Sequence, residues 1–335
     1  MSTSTLILVG QILASFIALS VSFILVSFGG MFNRRAGLSN IALEGIMILG
    51  ATSGIFVTYA FSSAVAAGFP SLIAIFIAVL TSGIIGSLFA LLNAGVGITF
   101  KGNQYAAGIG INILGPALFI ILAYYLIGAD EMSLPSFASI TAETFGGVTQ
   151  SISSFWDAFL LTSFNNLATI IALILIPISY FILNKSRLGF RLSAYKDNPE
   201  SARTLGLQIK TIRLTSISIG GFIAGIGGFS FLYGLSSAFN GQIYGYGFLA
   251  LSIVLIGSSK PGRILVTSLL FAGIITLGNY ALEIFWLPNF GGIAEGDKIY
   301  NLLPYVLALV VLAFASKKRT IKIQKKVEKK ENLEN

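Results

Sequence analysis

Charged positions fall in short clusters along this 335-residue chain, and the runs between them carry no charge at all. Seven such runs, at 1–33, 45–100, 102–129, 158–184, 214–259, 264–282 and 299–316, hold two-thirds of the residues. Each reaches or approaches the ~20 apolar residues that a helix needs to cross a bilayer. Two are too long for one crossing, and each is interrupted where a turn would fall. The breaks are Gly68-Phe69-Pro70-Ser71 and the polar run Ser236-Ser237-Ala238-Phe239-Asn240-Gly241-Gln242. The pattern predicts nine spans, near 6–29, 46–62, 71–98, 106–127, 166–184, 213–233, 244–258, 264–284 and 299–316. The expected fold is all-α: a polytopic transmembrane helix bundle of nine to ten spans with broken or half helices. Residues 1–316 form the membrane domain, with a loop at 185–213 inside it, and 317–335 form a basic tail.

Charge tests the count, because short cytoplasmic loops collect Lys and Arg. With nine spans, 20 of the 21 cations fall on one face, and Lys298 alone on the other. The division places the N-terminus outside and the C-terminus in the cytoplasm of a multi-pass plasma-membrane protein. The net charge of +8 is then a topology signal and no footprint of nucleic acid. The first span lacks a basic n-region and a small-residue cleavage site, so it is expected to be a retained anchor. The tail, with Lys317-Lys318-Arg319 and Lys325-Lys326, is expected at the lipid surface.

Composition then closes off chemistry. With no Cys and no His there is no disulfide, thiolate, His general base or Cys/His metal site, so neither a catalytic residue nor a bound metal is expected. No P-loop Gly-x-x-x-x-Gly-Lys-Ser/Thr is present. The 37 glycines include pairs four residues apart, Gly50/Gly54, Gly221/Gly225 and Gly241/Gly245, the spacing that lets membrane helices approach closely. Gly227-Gly228 and Gly245-Tyr246-Gly247 are candidates for kinks or unwound stretches.

Three segments are neither ordinary span nor ordinary loop. From Arg34 to Gly50, Asn40 and Glu44 share one helix face, and Glu44 carries a carboxylate toward an apolar run. It either meets solute or braces a broken helix. In the loop 185–213, Asn198 suits an N-cap, Pro199 the first helical position, Glu200 the positive end and Gly206 the terminator. A helix of about two turns is expected there, placed where a partner protein could push it. From Gly241 to Leu251, glycines alternate with Gln242, Tyr244 and Tyr246, which could stack on a ring-shaped solute or sit in an interfacial aromatic belt.

These segments, in this order, resemble the permease subunits of bacterial ABC importers of the branched-chain amino acid, ribose and nucleoside group. The resemblance is carried by Asn40-Ile41-Ala42-Leu43-Glu44-Gly45-Ile46-Met47; by Gly189-Phe190-Arg191-Leu192 with Asn198-Pro199-Glu200-Ser201-Ala202 and Leu205-Gly206; by Gly247-Phe248-Leu249-Ala250-Leu251 with Lys260-Pro261; and by Leu303-Pro304-Tyr305-Val306-Leu307. Phe32-Asn33-Arg34-Arg35-Ala36-Gly37 looks closest to the shorter permease of nucleoside importers that use a Bmp-type lipoprotein. Ser258-Ser259-Lys260 departs from the family's usual Gly-x-Trp/Asn before proline, and Ser201-Ala202 from its two alanines.

The resemblance implies a coupling helix seated in a cytoplasmic ATPase, formed by Asp197, Asn198, Pro199, Glu200, Ser201, Ala202, Arg203, Leu205 and Gly206. It also implies a second permease subunit, an extracellular substrate-binding lipoprotein, and ATP and Mg bound on the ATPase, so that this chain holds no cofactor and is no enzyme. Transport would proceed by alternating access. Candidate pathway residues, polar or aromatic at membrane depth near glycine breaks, are Asn40, Glu44, Gln104, Asn112, Gln242 and Tyr246. A nucleoside suits such an uncharged lining; ribose or another simple sugar is the alternative solute. An ion-coupled secondary transporter is the rival mechanism, and it would need charged groups deeper in the membrane than Glu44 and Glu283.

Overall fold

The computed structural model describes residues 3–38, 40–135, 167–197, 199–232, 238–280 and 302–310. The helices, numbered along the chain, are α1 (Thr3–Arg35), α2 (Leu43–Ala66), α3 (Ser71–Ala94), α4 (Gln104–Ile127), α5 (Leu167–Lys185), α6 (Arg187–Asp197), α7 (Pro199–Thr204), α8 (Ile209–Leu232), α9 (Tyr246–Ile256) and α10 (Pro261–Asn279). A further helical stretch covers 302–310. Among the described residues the extended pairing is limited to one antiparallel bridge, Met132 with Phe239. Asn198, Glu283, Lys298 and the tail 317–335 lie outside the described residues.

Local chemistry explains where these helices begin and end. Asn103 caps α4, its Oδ1 accepting the N–H of Tyr105 at 2.9 Å and of Ala106 at 3.2 Å, and Gly128 closes it at φ 76°. Pro261 opens α10, where its missing N–H costs nothing. α1 closes with the paired bonds of a Schellman turn, Leu38 N–H to the Asn33 carbonyl at 3.0 Å and Gly37 N–H to that of Arg34 at 3.2 Å, with Gly37 at φ 76°. Beyond α3 the chain widens into a π turn, Gly95–Thr99.

Six of the described helices are long and apolar enough to cross a membrane: Leu8–Arg35, Leu43–Ala66, Ser71–Thr99, Gln104–Ile127, Ile209–Leu232 and Pro261–Asn279. The chain is therefore an all-helical, multi-pass membrane protein. Two expected spans take other forms. The one near 166–184 is α5, which bends by 56° into α6. The one near 244–258 contains only the 11 residues of α9, about 16 Å of helix against a ~30 Å apolar layer. The stretch expected at 299–316 is described only at 302–310.

α8 lies at the centre, against α1, α2 and α3. In α1 and α8, 72% of the apolar window is buried, against 28% in α4, whose outer residues Ile113, Ile121 and Tyr125 are exposed. Glycine sets the central spacing. A Cβ on Gly225 would lie 2.2 Å from the Ser82 carbonyl oxygen, and one on Gly50 would lie 2.3 Å from that of Gly225. Without a hydrophobic force between helices in lipid, such backbone contact supplies the packing. Gly241 and Gly245, the third spaced pair, lie in non-helical chain, both at φ 79°.

Candidate functional site

The span that α9 only half fills is a broken one. α9 runs alongside α1 in the same direction: Tyr246 packs on Phe23 with ring centroids 5.5 Å apart, Ser27 donates to the Ala250 carbonyl at 3.3 Å, and Arg34 donates to that of Val254 at 3.0 Å. Phe23 stands about 18 Å along α1 from its charged end at Arg35, so α9 starts near mid-membrane. The preceding residues 238–245 are non-helical, from Phe239 on its bridge to Met132 through a bend at Gly241 to a turn at Tyr244-Gly245. Non-helical backbone at such depth is tolerated where protein buries it or where it lines a cavity.

Glu44 closes the break. Its Oε1 accepts the Gly245 N–H at 2.9 Å, and its Oε2 accepts those of Gly247 at 2.7 Å and Phe248 at 3.2 Å. The Tyr246 N–H goes to the Ile243 carbonyl at 3.0 Å and that of Leu249 to Gly245 at 3.1 Å, so the opening amides of α9 are all satisfied. A carboxylate is the fitting acceptor at the positive end of a helix. Gly247 must be glycine, since a Cβ there would stand 2.4 Å from the Glu44 Cα. The motifs around Glu44 and Gly247, some 200 residues apart in sequence, are thus two halves of one joint.

Asn40 and Asn112 brace the same joint. Asn112, on α4, accepts the Gly45 N–H at 2.7 Å and donates to the Ile41 carbonyl at 3.0 Å, capping α2, which has no side-chain cap of its own. Asn40 accepts the Ala42 N–H at 3.1 Å and the Asn93 amide at 2.7 Å. Gln104 opens α4, close to Gly97 in the π turn and away from the joint. Tyr246 is packed between Phe23 and Phe231, the latter edge-on at 5.2 Å.

The non-helical half presents a different face. Phe239, Gly241 and Ile243 are buried, while Asn240, Gln242 and Tyr244 are exposed. Asn240 Oδ1 accepts the Gln242 N–H at 3.2 Å, and Tyr305 donates its hydroxyl to the Tyr244 carbonyl. Of the residues expected at the pathway, Gln242 lies on this polar face, and Asn240 and Tyr244 join it. Asn240 lies within the polar run expected to break the long apolar stretch, and Tyr244 at the start of the span expected at 244–258.

At the basic end of the bundle, α7 falls where a short helix was expected, with Gly206 beyond it at φ 73°, and α6 precedes it as a helix that was not expected. Ala202 is buried; Glu200, Leu205 and Gly206 are exposed. Asn198 and the side chains of Asp197, Pro199, Ser201 and Arg203 lie outside the described residues. Beside α7 a cleft of about 350 Å³ is lined by Ile98, Leu207, Ile209, Lys210 and Arg213.

A broken span with a polar face, in a bundle of apolar helices, belongs to the class of proteins that pass solutes across membranes. Residues 12–315 match the family model described as branched-chain amino acid transport system / permease component, and the chain belongs to that family. It is 27% identical over 316 residues to the nucleoside ABC transporter permease protein NupC of Lactococcus lactis, covering 90% of this chain and 91% of that one. It is 30% identical over 294 residues to the guanosine ABC transporter permease protein NupQ of Bacillus subtilis, covering 86% of each. It is 28% identical over 309 residues to the putative glucose ABC transporter permease protein TsgC13 of Haloferax volcanii, covering 87% of each. Among solved structures, PsaBC from Streptococcus pneumoniae in complex with Fab superposes with a TM-score of 0.44 at 15% identity, over 93% of this chain and 94% of that one; the likeness is too slight to carry an argument.

Proposed function

We propose that this chain is the permease subunit of an ATP-driven importer and that its solute is a nucleoside. The observation that carries the reading is the polar face of Asn240, Gln242 and Tyr244 on the non-helical half of a broken span. Such groups in the membrane belong against a pathway and not against lipid. Amide and phenol groups can replace the hydration of an uncharged base and ribose without a fixed countercharge. The names of the NupC and NupQ relatives support nucleosides in particular.

In this reading Asn40, Glu44 and Asn112 hold backbone in place, and solute passes the 240–244 face. The basic end is cytoplasmic and the N-terminus external. α7, with Leu205 and Gly206 exposed beside it, is the coupling helix that a partner ATPase engages. ATP and Mg bind on that ATPase, a second permease completes the pathway, and an extracellular lipoprotein delivers the solute. The TsgC13 name favours a second solute, a simple sugar. A proton relay through Glu44 is disfavoured, because its oxygens already accept three backbone amides.

The test is uptake of radiolabelled nucleoside into proteoliposomes holding the chain with its partner subunits. Uptake that needs ATP, survives a proton ionophore and is competed by nucleosides but not by ribose or glucose is the expected result. Uptake that survives ATP depletion and is abolished by the ionophore would overturn the importer mechanism. Competition by sugar alone would overturn the solute.

A further inference from the structure

α9 is held at both of its ends by one short stretch of chain. Glu44 takes the amides at its N-terminus, and Arg34, ten residues earlier, donates to the Val254 carbonyl in its last turn at 3.0 Å. Each charge has the sign that the helix dipole favours at its end. Charge-assisted bonds in a water-poor interior are strong, so α9 is fixed to this elbow, residues 34–44, as to a frame.

The elbow is gripped again on its other side, by the elements that surround α6 and α7. Arg35 donates from Nη1 to the Leu183 carbonyl at 2.6 Å and from Nη2 to Asn184 Oδ1 at 3.1 Å, in the last turn of α5. Tyr195, near the end of α6, lies against Gly37, where an added Cβ would come within 3.2 Å of its ring. Arg213 of α8 stacks over that ring, 5.5 Å from its centroid, and donates Nε–H to the Ala36 carbonyl at 2.8 Å. Beyond each end of α9 the backbone takes positive φ: Tyr244 and Gly245 at 50° and 79°, Ser258 and Ser259 at 51° and 56°.

We infer that the elbow and α9 move as one body, and that Arg35 and Tyr195 are positioning residues that make this body follow the helices α6 and α7. The half-helix then shifts relative to the 240–244 face, pivoting at 244–245 and 258–259. The inference rests on the importer reading, in which α7 receives the ATPase.

The experiment uses the complete importer in proteoliposomes and reads both ATP hydrolysis and nucleoside uptake. Arg35→Ala and Tyr195→Leu are expected to lower nucleoside taken up per ATP hydrolysed by about fivefold or more. Tyr195→Phe, which keeps the ring, and Arg35→Lys, which keeps one donor, are expected to restore most of the ratio. A purely structural role would reduce hydrolysis and uptake together and leave the ratio unchanged, and that result overturns the inference, as does a Tyr195→Phe protein as uncoupled as Tyr195→Leu. Because no native cysteine is present, spin labels on Cys-substituted Leu255 and Ile41, the latter within the elbow and clear of Tyr195, add a second reading: a distance between them that changes between ATP-free and ATP-bound states also overturns it. Failure of the importer reading is distinguished by the unsubstituted complex, whose uptake would then not depend on ATP.

Discussion

α8 and α9 solve the same problem in opposite ways. α8 is a full-length span at the centre of the bundle, seated by glycines that bring it into backbone contact with α2 and α3. Its few polar contacts to neighbours, such as Ser216 donating to the Phe32 carbonyl at 3.0 Å, lie along its length and not at a break. α9 has 11 residues, and its first turn opens inside the layer, where no water can take its amides. It is held by Glu44 and Arg34 instead. Close packing makes α8 a fixed post, since a packed seam has one register. Polar end contacts make α9 a separable unit whose place is set by the elbow.

The largest effect is expected from removing the carboxylate. Glu44→Leu leaves three N–H groups without an acceptor in the membrane interior, at about 1–3 kcal/mol each before relaxation. Loss of uptake and a marked fall in thermal stability in detergent are expected, with Glu44→Gln falling between it and the wild type. Gly225→Val attacks α8, where a Cβ would lie 2.2 Å from the Ser82 carbonyl oxygen; overpacking of about 1–3 kcal/mol should lower the melting temperature without selectively freeing α9. Gln242→Ala and Asn240→Ala, on the exposed face, should leave the melting temperature in place and raise the KM for nucleoside up to about tenfold. Ser258→Gly is the smallest and opposite in sign. Ser258 closes α9, donating its N–H to Leu255 at 3.1 Å while Ser259 donates to Val254 at 3.3 Å, and it sits at φ 51° where glycine is usual. Relief of that conformation should stabilise the protein by about 0.5–1 kcal/mol, visible as a higher melting temperature.

The long spans were legible in the sequence because unbroken apolar runs have one membrane solution, the helix. α2, α3, α4 and α8 lie close to the positions expected from the charge-free stretches. The capping signals at Pro199 and Gly206 marked α7 for the same local reason, whereas α6 was missed although Ser186 caps it, its Oγ accepting the Gly189 N–H at 3.3 Å. The broken span was legible only in part. Its glycines and polar residues marked a break, yet nothing local says that the amides after Gly245 find their acceptor in Glu44, 200 positions away. Nor could composition choose between Tyr244 and Tyr246. The choice depends on the turn at Tyr244-Gly245 that starts the helix, which brings Tyr246 onto Phe23 and Phe231 and leaves Tyr244 exposed.

The central claim is that Glu44 holds the helical half of a broken span, and amide hydrogen exchange at Gly245, Gly247 and Phe248 tests it most directly. In Glu44→Gln, the exchange protection of these three amides is expected to fall by roughly tenfold or more, the equivalent of about 1.4 kcal/mol of lost charge-assisted bonding, while the amides of α8 from Gly220 to Gly228 keep theirs. Unchanged protection at 245–248, or an equal loss in both helices, would contradict it.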